Sequence, residues 1–410
     1  ELKRRFDIEC VQYAHAGSGE IHLRPVLNLK TAAGQQLFRE VAQCAAGIVK
    51  KYKGSLSGEH GDGRLRGEFL EQMIGPNNFA RIRTVKETWD PANIFNPGKI
   101  VDTPVMNQQL RYRVGQTRPS ISTVFDWSAT DGMLGAAEMC SGSGDCRKTH
   151  LTGGVMCPSY MATRNEQDTT RARANLLRQV MSESPTAANP LDNESLKNVL
   201  DLCMSCKGCK RECPSSVDMA KLKAEFQQHY HDVHGAPWRA KQIANFAQSQ
   251  KWAARAPWLY NWLVGTSWTR KLISRSLGFH ADRSLPKVAS PTLRQWFDNH
   301  EPHANAGSVG DVYFYIDEFT NYSDATIGRS AILLLETLGY HVVAPRLKES
   351  GRTWLSKGFV RKAREIIAEN IQLIAEAVPE SGALVGVEPS ALLTYRDESL
   401  ELFGEGDPSL

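Results

Sequence analysis

The sequence has little net charge: 49 lysines and arginines against 45 aspartates and glutamates give +4 over 410 residues. This balance provides no strongly basic field, so we expect no binding of nucleic acid. No run of about 18 apolar residues occurs, which argues against a membrane-spanning helix. The first residues contain neither an initiator Met nor the apolar core of a signal peptide. At roughly 100–200 residues per domain, the length predicts two to four domains.

Cysteine is also sparse over most of the chain and concentrated in one part. Seven of the nine cysteines lie between Cys140 and Cys213, and the other two are Cys10 and Cys44. A disulfide scaffold would be small and loop-rich, whereas this chain is large and has an odd number of cysteines. We therefore predict metal or cluster thiolates in a reducing, cytoplasmic compartment. Cys10 and Cys44, on a predicted strand and helix, are expected to be buried apolar residues rather than ligands.

The last four cysteines form a specific motif. Cys203, Cys206, Cys209 and Cys213-Pro214 have the spacing C-x2-C-x2-C-x3-C-P of bacterial ferredoxins. In that arrangement the fourth cysteine ligates a second cluster. A zinc ribbon is the alternative, but zinc motifs rarely use this spacing. The sequence therefore predicts an iron–sulfur protein.

An upstream half-motif completes the pattern, with Ser143 where a second cysteine would stand and Cys157-Pro158 at its end. The crossed assignment gives one [4Fe–4S] cluster to Cys157 together with Cys203, Cys206 and Cys209. Cys140, Cys146 and Cys213 would hold the second cluster. Its fourth ligand stays open: Ser143, water or another side chain, unless the cluster is [3Fe–4S]. A single cluster on the last four cysteines is a further alternative.

Three histidines and one glutamate fall in two short glycine-rich segments. We predict a hairpin with a two-residue turn at Ser18-Gly19, which places His15 opposite His22 on one face. Glu59 and His60 follow in a second segment, Gly58–Gly63. A His2Glu site with an open position suits Zn2+ or Mn2+ acting as a Lewis acid. Each histidine alone would be an ordinary polar residue, and their clustering favours a functional site.

The hydrophobic pattern predicts an α+β multidomain protein. An α/β segment covers residues 1–103, with strands within 8–15 and 21–27 and a helix over 32–52. A linker over 104–130 precedes a helical iron–sulfur domain over 131–281, with helices over 169–181 and 217–230. A second linker spans 282–310. Residues 311–410 return to α/β, with strands over 312–316, 341–344 and 383–387 and helices over 324–338 and 360–375.

Residues 233–281 contain no Asp or Glu, seven Lys or Arg and five of the nine tryptophans. One interpretation is an interfacial surface that places the clusters near a membrane quinone pool. The other, which we favour from the sequence, is that ordinary helices pack these tryptophans onto the cluster domain.

Three motifs carry a resemblance to a known family. They are Tyr13–His22, Ser57–Gly63 and Trp89–Lys99. Residues 1–103 resemble the C-terminal part of FAD-linked oxidases of the D-lactate, glycolate and D-2-hydroxyglutarate dehydrogenase type. Residues 131–230 resemble the ferredoxin domain fused to such oxidases. Residues 311–400 resemble the cysteine-rich domain of glycolate oxidase iron–sulfur subunits, with Ser350 and Ala391 where cysteines are expected.

The resemblance implies roles for particular residues. His15, His22 and Glu59 match the divalent-metal ligands, His60 matches the active-site base, and Asn96 lies in a segment lining the flavin and substrate pocket. Arg24, Arg64 and Arg66 are candidates to bind a substrate carboxylate, although at least one is expected to be an ordinary surface arginine.

The implied function is oxidation of a D-2-hydroxyacid, with hydride transfer to FAD and electron relay through the clusters to an acceptor such as quinone. The FAD-binding domain is expected on another segment or chain, so the sequence resembles a fragment of a larger flavoenzyme. Peripheral contact with the inner face of the membrane and homo-oligomerisation are left open. The alternative is a non-catalytic electron-transfer or scaffold subunit that needs a separate FAD-binding chain.

Overall fold

The structure, a computed structural model, describes residues 1–116, 118–183 and 189–404. The chain is rich in helix and contains two small sheets. It divides into two units, Glu1–Thr117 and Arg118–Leu410. Within the described ranges, no helix is both long and apolar enough to cross a membrane.

The first unit is built around one long helix that follows a hairpin. Its elements are α1 Leu2–Phe6, β1 Cys10–His15, β2 Glu20–Pro25, α2 Ala32–Lys51, α3 Leu70–Ile74 and α4 Pro76–Trp89. The side chain of Thr31 caps α2 by accepting from the backbone N–H of Gly34. Leu37, Val41 and Cys44, at helical spacing, pack this helix against Leu2 and Ile8.

The hairpin has a different register from the one predicted. His15 pairs with Glu20 and Tyr13 pairs with His22. A two-residue hairpin turn at Ser18-Gly19 needs positive φ at Ser18 in both of its favoured types, but in this loop of four residues only Gly19 has positive φ. The predicted opposition of His15 and His22 is therefore wrong. The shift is by two residues, so both side chains still lie on the same face.

The second unit contains the cysteine-rich helices and a small α/β part. Its elements are α5 Met133–Glu138, α6 Pro158–Thr163, α7 Thr170–Glu183, α8 Glu194–Asp201, α9 Gly208–Glu212, α10 Met219–His234, α11 Trp238–Ala244, α12 Phe246–Ala253, α13 Pro257–Gly265, α14 Ser267–Ser276, α15 Leu293–Phe297, β3 Gly310–Phe314, α16 Glu318–Tyr322, α17 Ala325–Thr337, β4 Tyr340–Val343, α18 Arg352–Ser356, α19 Val360–Ala377, β5 Leu384–Val385, α20 Pro389–Leu392 and α21 Glu398–Phe403.

The main core of this unit joins the helices that carry the cysteines. Leu177 and Met181 of α7 and Leu222 and Phe226 of α10 are fully or almost fully buried in it. Glu225 is also fully buried, and its carboxylate accepts from the backbone N–H groups of Val124 and Phe125. These hydrogen bonds satisfy the acceptor atoms of the buried carboxylate and hold the segment before α5 against α10.

The α/β part has a parallel sheet in the order β4-β3-β5. α15, which lies in the segment predicted as a linker, buries Leu293 against this sheet. Beyond the carboxyl end of β3, Glu318 is buried and accepts from both the N–H and the hydroxyl of Ser350. Ser350 and Ala391 are both fully buried.

The tryptophans of residues 233–281 are exposed, so the prediction that they pack onto the cluster domain is wrong. Each is more than half exposed, and the five are Trp238, Trp252, Trp258, Trp262 and Trp268. The side chains that α13 and α14 bury are the smaller Val264, Thr269 and Ser274.

The buried Glu318 predicts a pH-dependent stability. Burial raises the pKa of Glu318 from its usual 4.5 to about 7. Between these values the folded chain keeps a proton that the unfolded chain has lost. Stability therefore falls as pH rises through this window, by up to about 1.4 kcal/mol per pH unit. Glu318→Gln should remove this contribution to the pH dependence of the free energy of unfolding, measured by urea unfolding at pH 5, 6 and 7. Glu376→Gln, at an exposed position of α19, keeps the slope. An unchanged slope in Glu318→Gln would contradict the prediction.

Candidate functional site

The hairpin and the glycine-rich segment bring the predicted metal ligands together. The Nε2 atoms of His15 and His22 lie 3.6 and 3.4 Å from Oε1 of Glu59. The two imidazole rings meet edge to face at 5.0 Å between centroids. Two side chains of the hairpin and one that lies 37 residues beyond His22 in the sequence therefore converge on one point of the first unit.

Glu20 is a fourth potential ligand that sequence reasoning missed. Ligand atoms of Glu20, His15, His22 and Glu59 all lie within 4.8 Å of one another. Glu20 joins the group because it pairs with His15 in the observed register. Gly58 makes room for it, since a Cβ there would lie 2.5 Å from Oε1 of Glu20. The alternation Glu20-x-His22 on one strand was the signal available in the sequence.

The donor set fits a divalent cation. Nε2 of His22 is buried and has no hydrogen-bond partner among the described residues. A buried ring nitrogen facing two carboxylates is the arrangement expected where an ion supplies the missing contact. Two imidazoles with one or two carboxylates suit Zn2+ or Mn2+.

His60 is next to this group. Its Nε2 lies 3.0 Å from the same Glu59 oxygen, and its ring is 6.1 Å from that of His22. The side chain is 65% exposed, so an incoming molecule can reach it. The candidate base is thus held by a candidate metal ligand.

Asn96 lies in the turn that follows α4 and has a left-handed backbone conformation. Its Oδ1 accepts from Nζ of Lys99 at 3.2 Å. Asp90 fixes the turn by accepting from the N–H groups of Ile94 and Phe95. The pKa of Asp90 lies below its usual value, mainly because the side chain of Lys86 donates a hydrogen bond to its carboxylate.

The three candidate arginines have partners in the first unit. Arg64 and Arg66 donate to the backbone carbonyls of Gln108 and Gly61. Arg24 lies over the ring of Tyr13 at 5.5 Å. The backbone contacts favour a structural role for Arg64 and Arg66.

The cysteines of the second unit are distributed between two cavities. Cys157, Cys203, Cys206 and Cys209 line one of them. Cys140, Cys146 and Cys213 line the other, together with Ser143. We call these the four-cysteine and the three-cysteine cavity. Both groupings are those of the crossed assignment.

The first turn of α7 donates hydrogen bonds to both cysteine sets. The N–H of Thr170 donates to Sγ of Cys157 at 3.1 Å, and the Thr170 hydroxyl is 2.9 Å from the same atom. In the other cavity, the backbone of Arg171 and the side chain of Thr169 hydrogen-bond Cys146. Amides at the start of a helix stabilise negative charge, so thiolates and a cluster fit here.

Burial has the opposite effect on the free thiols. It raises the pKa of Cys146 and Cys157, and it raises the pKa of Cys209 to about 12. Buried thiols of this kind lose their protons when they bind a metal, because the ion supplies the compensating charge. Lys223 fixes the loop that precedes the motif by donating to the carbonyls of Asp201 and Cys203.

A second acidic group is part of an ion-pair network. Asp218, Asp397 and Glu401 lie close together, but Lys207 and Lys210 lie among them. Their charges are already compensated, and we assign no ion to them.

Comparison with known proteins identifies both regions. Residues 1–100 match the family described as FAD linked oxidases, C-terminal domain, and residues 139–218 match the 4Fe-4S dicluster domain. The chain carries these two domains. The match confirms the resemblance, and FAD and iron–sulfur clusters are the cofactors of these domain types. The divalent metal and the individual ligands stay predictions.

Several curated proteins are similar to the chain over almost its whole length. A D-2-hydroxyglutarate dehydrogenase of Haemophilus influenzae is 26% identical over 99% of this chain and 43% of its own length. One from Escherichia coli is 26% identical over 96% of this chain and 42% of its own length. A D-lactate dehydrogenase of Archaeoglobus fulgidus is 34% identical over 25% of this chain and 22% of its own. The chain thus spans less than half the length of the first two relatives. No solved structure matches it significantly.

The convergence of two histidines on Glu59 predicts divalent-metal binding by the first unit. Glu59→Gln and His22→Ala should each weaken Zn2+ or Mn2+ binding more than about 100-fold, because even indirect partners of ligands contribute about 10–100-fold. Metal content after dialysis against a weak chelator measures the effect. The control is Glu71→Gln, at an exposed position of α3, which should retain the metal. Full metal content in both ligand variants would contradict the assignment.

Proposed function

We propose that this chain is the metal- and cluster-bearing part of an FAD- and iron–sulfur-dependent D-2-hydroxyacid dehydrogenase. The reaction converts a D-2-hydroxyacid of the D-lactate or D-2-hydroxyglutarate class into the 2-oxoacid. The observation that carries the proposal is the convergence of His15, His22 and Glu59 beside His60, in a chain that also carries two cysteine-lined cavities. The names of the relatives support the same chemistry.

The side chains of the site have separate roles in the reaction at C2 of the substrate. A divalent ion, when bound, supplies Lewis acidity for the carboxylate and 2-hydroxyl of the substrate. His15, His22 and Glu59 would hold it, with Glu20 as an additional carboxylate. His60 accepts the hydroxyl proton at its imidazole, as a general base. Asn96 contributes to the pocket wall. FAD supplies the acceptor for the hydride from C2.

The first unit presents apolar side chains that support docking of an FAD-binding domain or chain. Most of the first strand of the hairpin is exposed, and Val11, Ile21 and Val26 are each more than half exposed. Trp89 and Phe95, beside the Asn96 turn, are 81% and 67% exposed. Since an isolated two-stranded sheet is only marginally stable in water, a covering partner would stabilise it.

The proposed protein has three domains joined by two connecting segments. Residues 1–103 form the substrate segment, and residues 131–281 form the helical, ferredoxin-like iron–sulfur domain. Residues 311–410 form an α/β domain of the cysteine-rich type without its cysteines, and 104–130 and 282–310 connect the three. In the last domain Ser350 hydrogen-bonds buried Glu318, which supports a structural role.

The clusters provide the route to an acceptor such as quinone. Each 4Fe-4S cluster carries one electron at a time, whereas a hydride delivers two. Two clusters in one domain would therefore separate the electron pair. Cys157, Cys203, Cys206 and Cys209 would hold one cluster, and Cys140, Cys146 and Cys213 the other, [4Fe–4S] with Ser143 or [3Fe–4S] without it.

A second candidate is a non-catalytic electron-transfer or scaffold subunit, in which the first unit only docks a separate FAD-binding chain. The exposed apolar residues of the hairpin suit either function. Divalent metal bound by His15, His22 and Glu59 favours the enzyme, because docking alone requires none.

A substrate screen tests the enzyme. The protein combined with its FAD-binding part should reduce an artificial dye with at least one of D-lactate, D-2-hydroxyglutarate and glycolate. His60→Asn should lower kcat by about 10²–10⁴-fold, the usual contribution of a general base. His341→Asn, a half-exposed histidine paired with Asp311, should leave the rate unchanged. No turnover with any D-2-hydroxyacid would overturn the proposal.

We also infer that the protein is cytoplasmic and contacts the inner face of the membrane peripherally. The exposed tryptophans Trp258, Trp262 and Trp268 lie on α13 and α14, which are joined by Thr266. Tryptophan favours the membrane interface, and the segment's lack of acidic residues suits anionic lipid headgroups. Such a location would bring the clusters to a quinone pool.

Co-sedimentation with vesicles containing anionic phospholipid tests this contact. Reversing three charges, Arg255→Glu, Arg270→Glu and Lys271→Glu, should weaken binding about 100-fold or more at roughly 1 kcal/mol per charge. The control reverses Lys3, Lys53 and Arg81, which are exposed in the first unit. Equal binding of the two triple variants would exclude the membrane surface and leave the tryptophans for a protein partner.

A further inference from the structure

A buried guanidinium lies beside the four-cysteine cavity. Arg173 lines this cavity and is only 1% exposed. Its Nε donates to the carbonyl of Val199 at 3.0 Å, and its Nη1 donates to the hydroxyl of Ser159 at 3.0 Å. These two bonds fix the plane of the guanidinium, because the fork of an arginine is rigid.

The third nitrogen of this guanidinium has no acceptor. Nη2 is buried and makes no hydrogen bond within the part of the chain that the structure describes. The nearest carboxylate oxygen, Oδ1 of Asp168, is 3.8 Å away, and the other Asp168 oxygen already accepts from Thr163 at 2.6 Å. Buried donors without a partner are rare in folded proteins, and a charged one is especially unfavourable. Arg173 lines the four-cysteine cavity, so a group bound there would be in a position to supply the missing acceptor.

The other cations that line the two cavities form closer ion pairs than Arg173 does with Asp168. Lys207 also lines the four-cysteine cavity, but it forms ion pairs with Asp397 at 2.6 Å and Glu398 at 3.0 Å. Arg171 lines the three-cysteine cavity, two residues before Arg173 on the same helix. It is partly exposed and pairs with Glu166 through both Nε and Nη2, at 2.9 and 2.6 Å.

We propose that Arg173 donates a hydrogen bond from Nη2 to the cluster held by Cys157, Cys203, Cys206 and Cys209, and thereby raises its reduction potential. The inference rests on the proposed function only in requiring a cluster in this cavity. Hydrogen bonds to the sulfur atoms and the net charge around a cluster both set its potential. Reduction adds one negative charge, and a desolvated cation favours that state more than a solvent-exposed one does. Arg173 is a positioning residue: it acts through the cluster and touches no substrate.

EPR-monitored redox titration of the purified chain, with its clusters reconstituted, tests the assignment. Arg173→Gln should make reduction of the four-cysteine cluster about tenfold less favourable, a fall of about 59 mV for one electron. The potential of the cluster in the other cavity should not change. Arg173→Lys keeps the charge but loses the fork, so its potential should lie between those of the wild type and Arg173→Gln. Arg171→Gln is the matched control, and it should leave the four-cysteine cluster unaffected.

Each outcome distinguishes this inference from the proposed function. An unchanged potential in Arg173→Gln, at full iron content, overturns the role of Arg173 and leaves the cluster assignment intact. If Arg173→Gln does not retain its cluster, Arg173→Lys decides, and a wild-type potential in that variant overturns the inference. A wild-type chain without any iron–sulfur EPR signal contradicts the proposed function itself.

Discussion

The first turn of α7 is the point on which the cysteine-rich region depends. Thr170 donates to Cys157, and the residues on either side, Thr169 and Arg171, hydrogen-bond Cys146. One helix start thus faces the two cavities and brings its amide dipoles to both sets of thiols. α7 is in turn held by the buried Leu177 and Met181, so the apolar core sets the positions of the thiols.

The cysteine arrangement was predictable from the sequence because it follows from local spacing. The short steps between Cys203, Cys206 and Cys209 allow them to face one cluster, and the cysteine before a proline then turns to the other. The two cavities group the cysteines as this rule predicts. Arg173 could not be found in this way. Its importance comes from an unpartnered nitrogen, which depends on the packing of Ser159 and Val199 around it.

The His/Glu group was predictable in composition but not in register. A two-residue turn was expected, whereas the chain uses four residues and only Gly19 has positive φ. The error of two residues kept His15 and His22 on one face, since side chains alternate with a period of two, but it left Glu20 out of the predicted group.

The exposure of the tryptophans was not predictable from the sequence, because amphipathic spacing does not say which face of a helix is covered. Small residues such as Ser274 fill the buried side of α14 and leave Trp268 outside.

We propose that Cys157 and Cys146, which both contact the start of α7, ligate two different clusters. Iron content and EPR spectra of Cys157→Ser and Cys146→Ser, compared with the wild-type chain, distinguish two clusters from one. Each variant should lose one distinct signal and about half of the iron, and the signal retained by one variant should be the signal lost by the other. Loss of the same signal in both variants, or retention of all iron in either, would show that these cysteines do not ligate separate clusters.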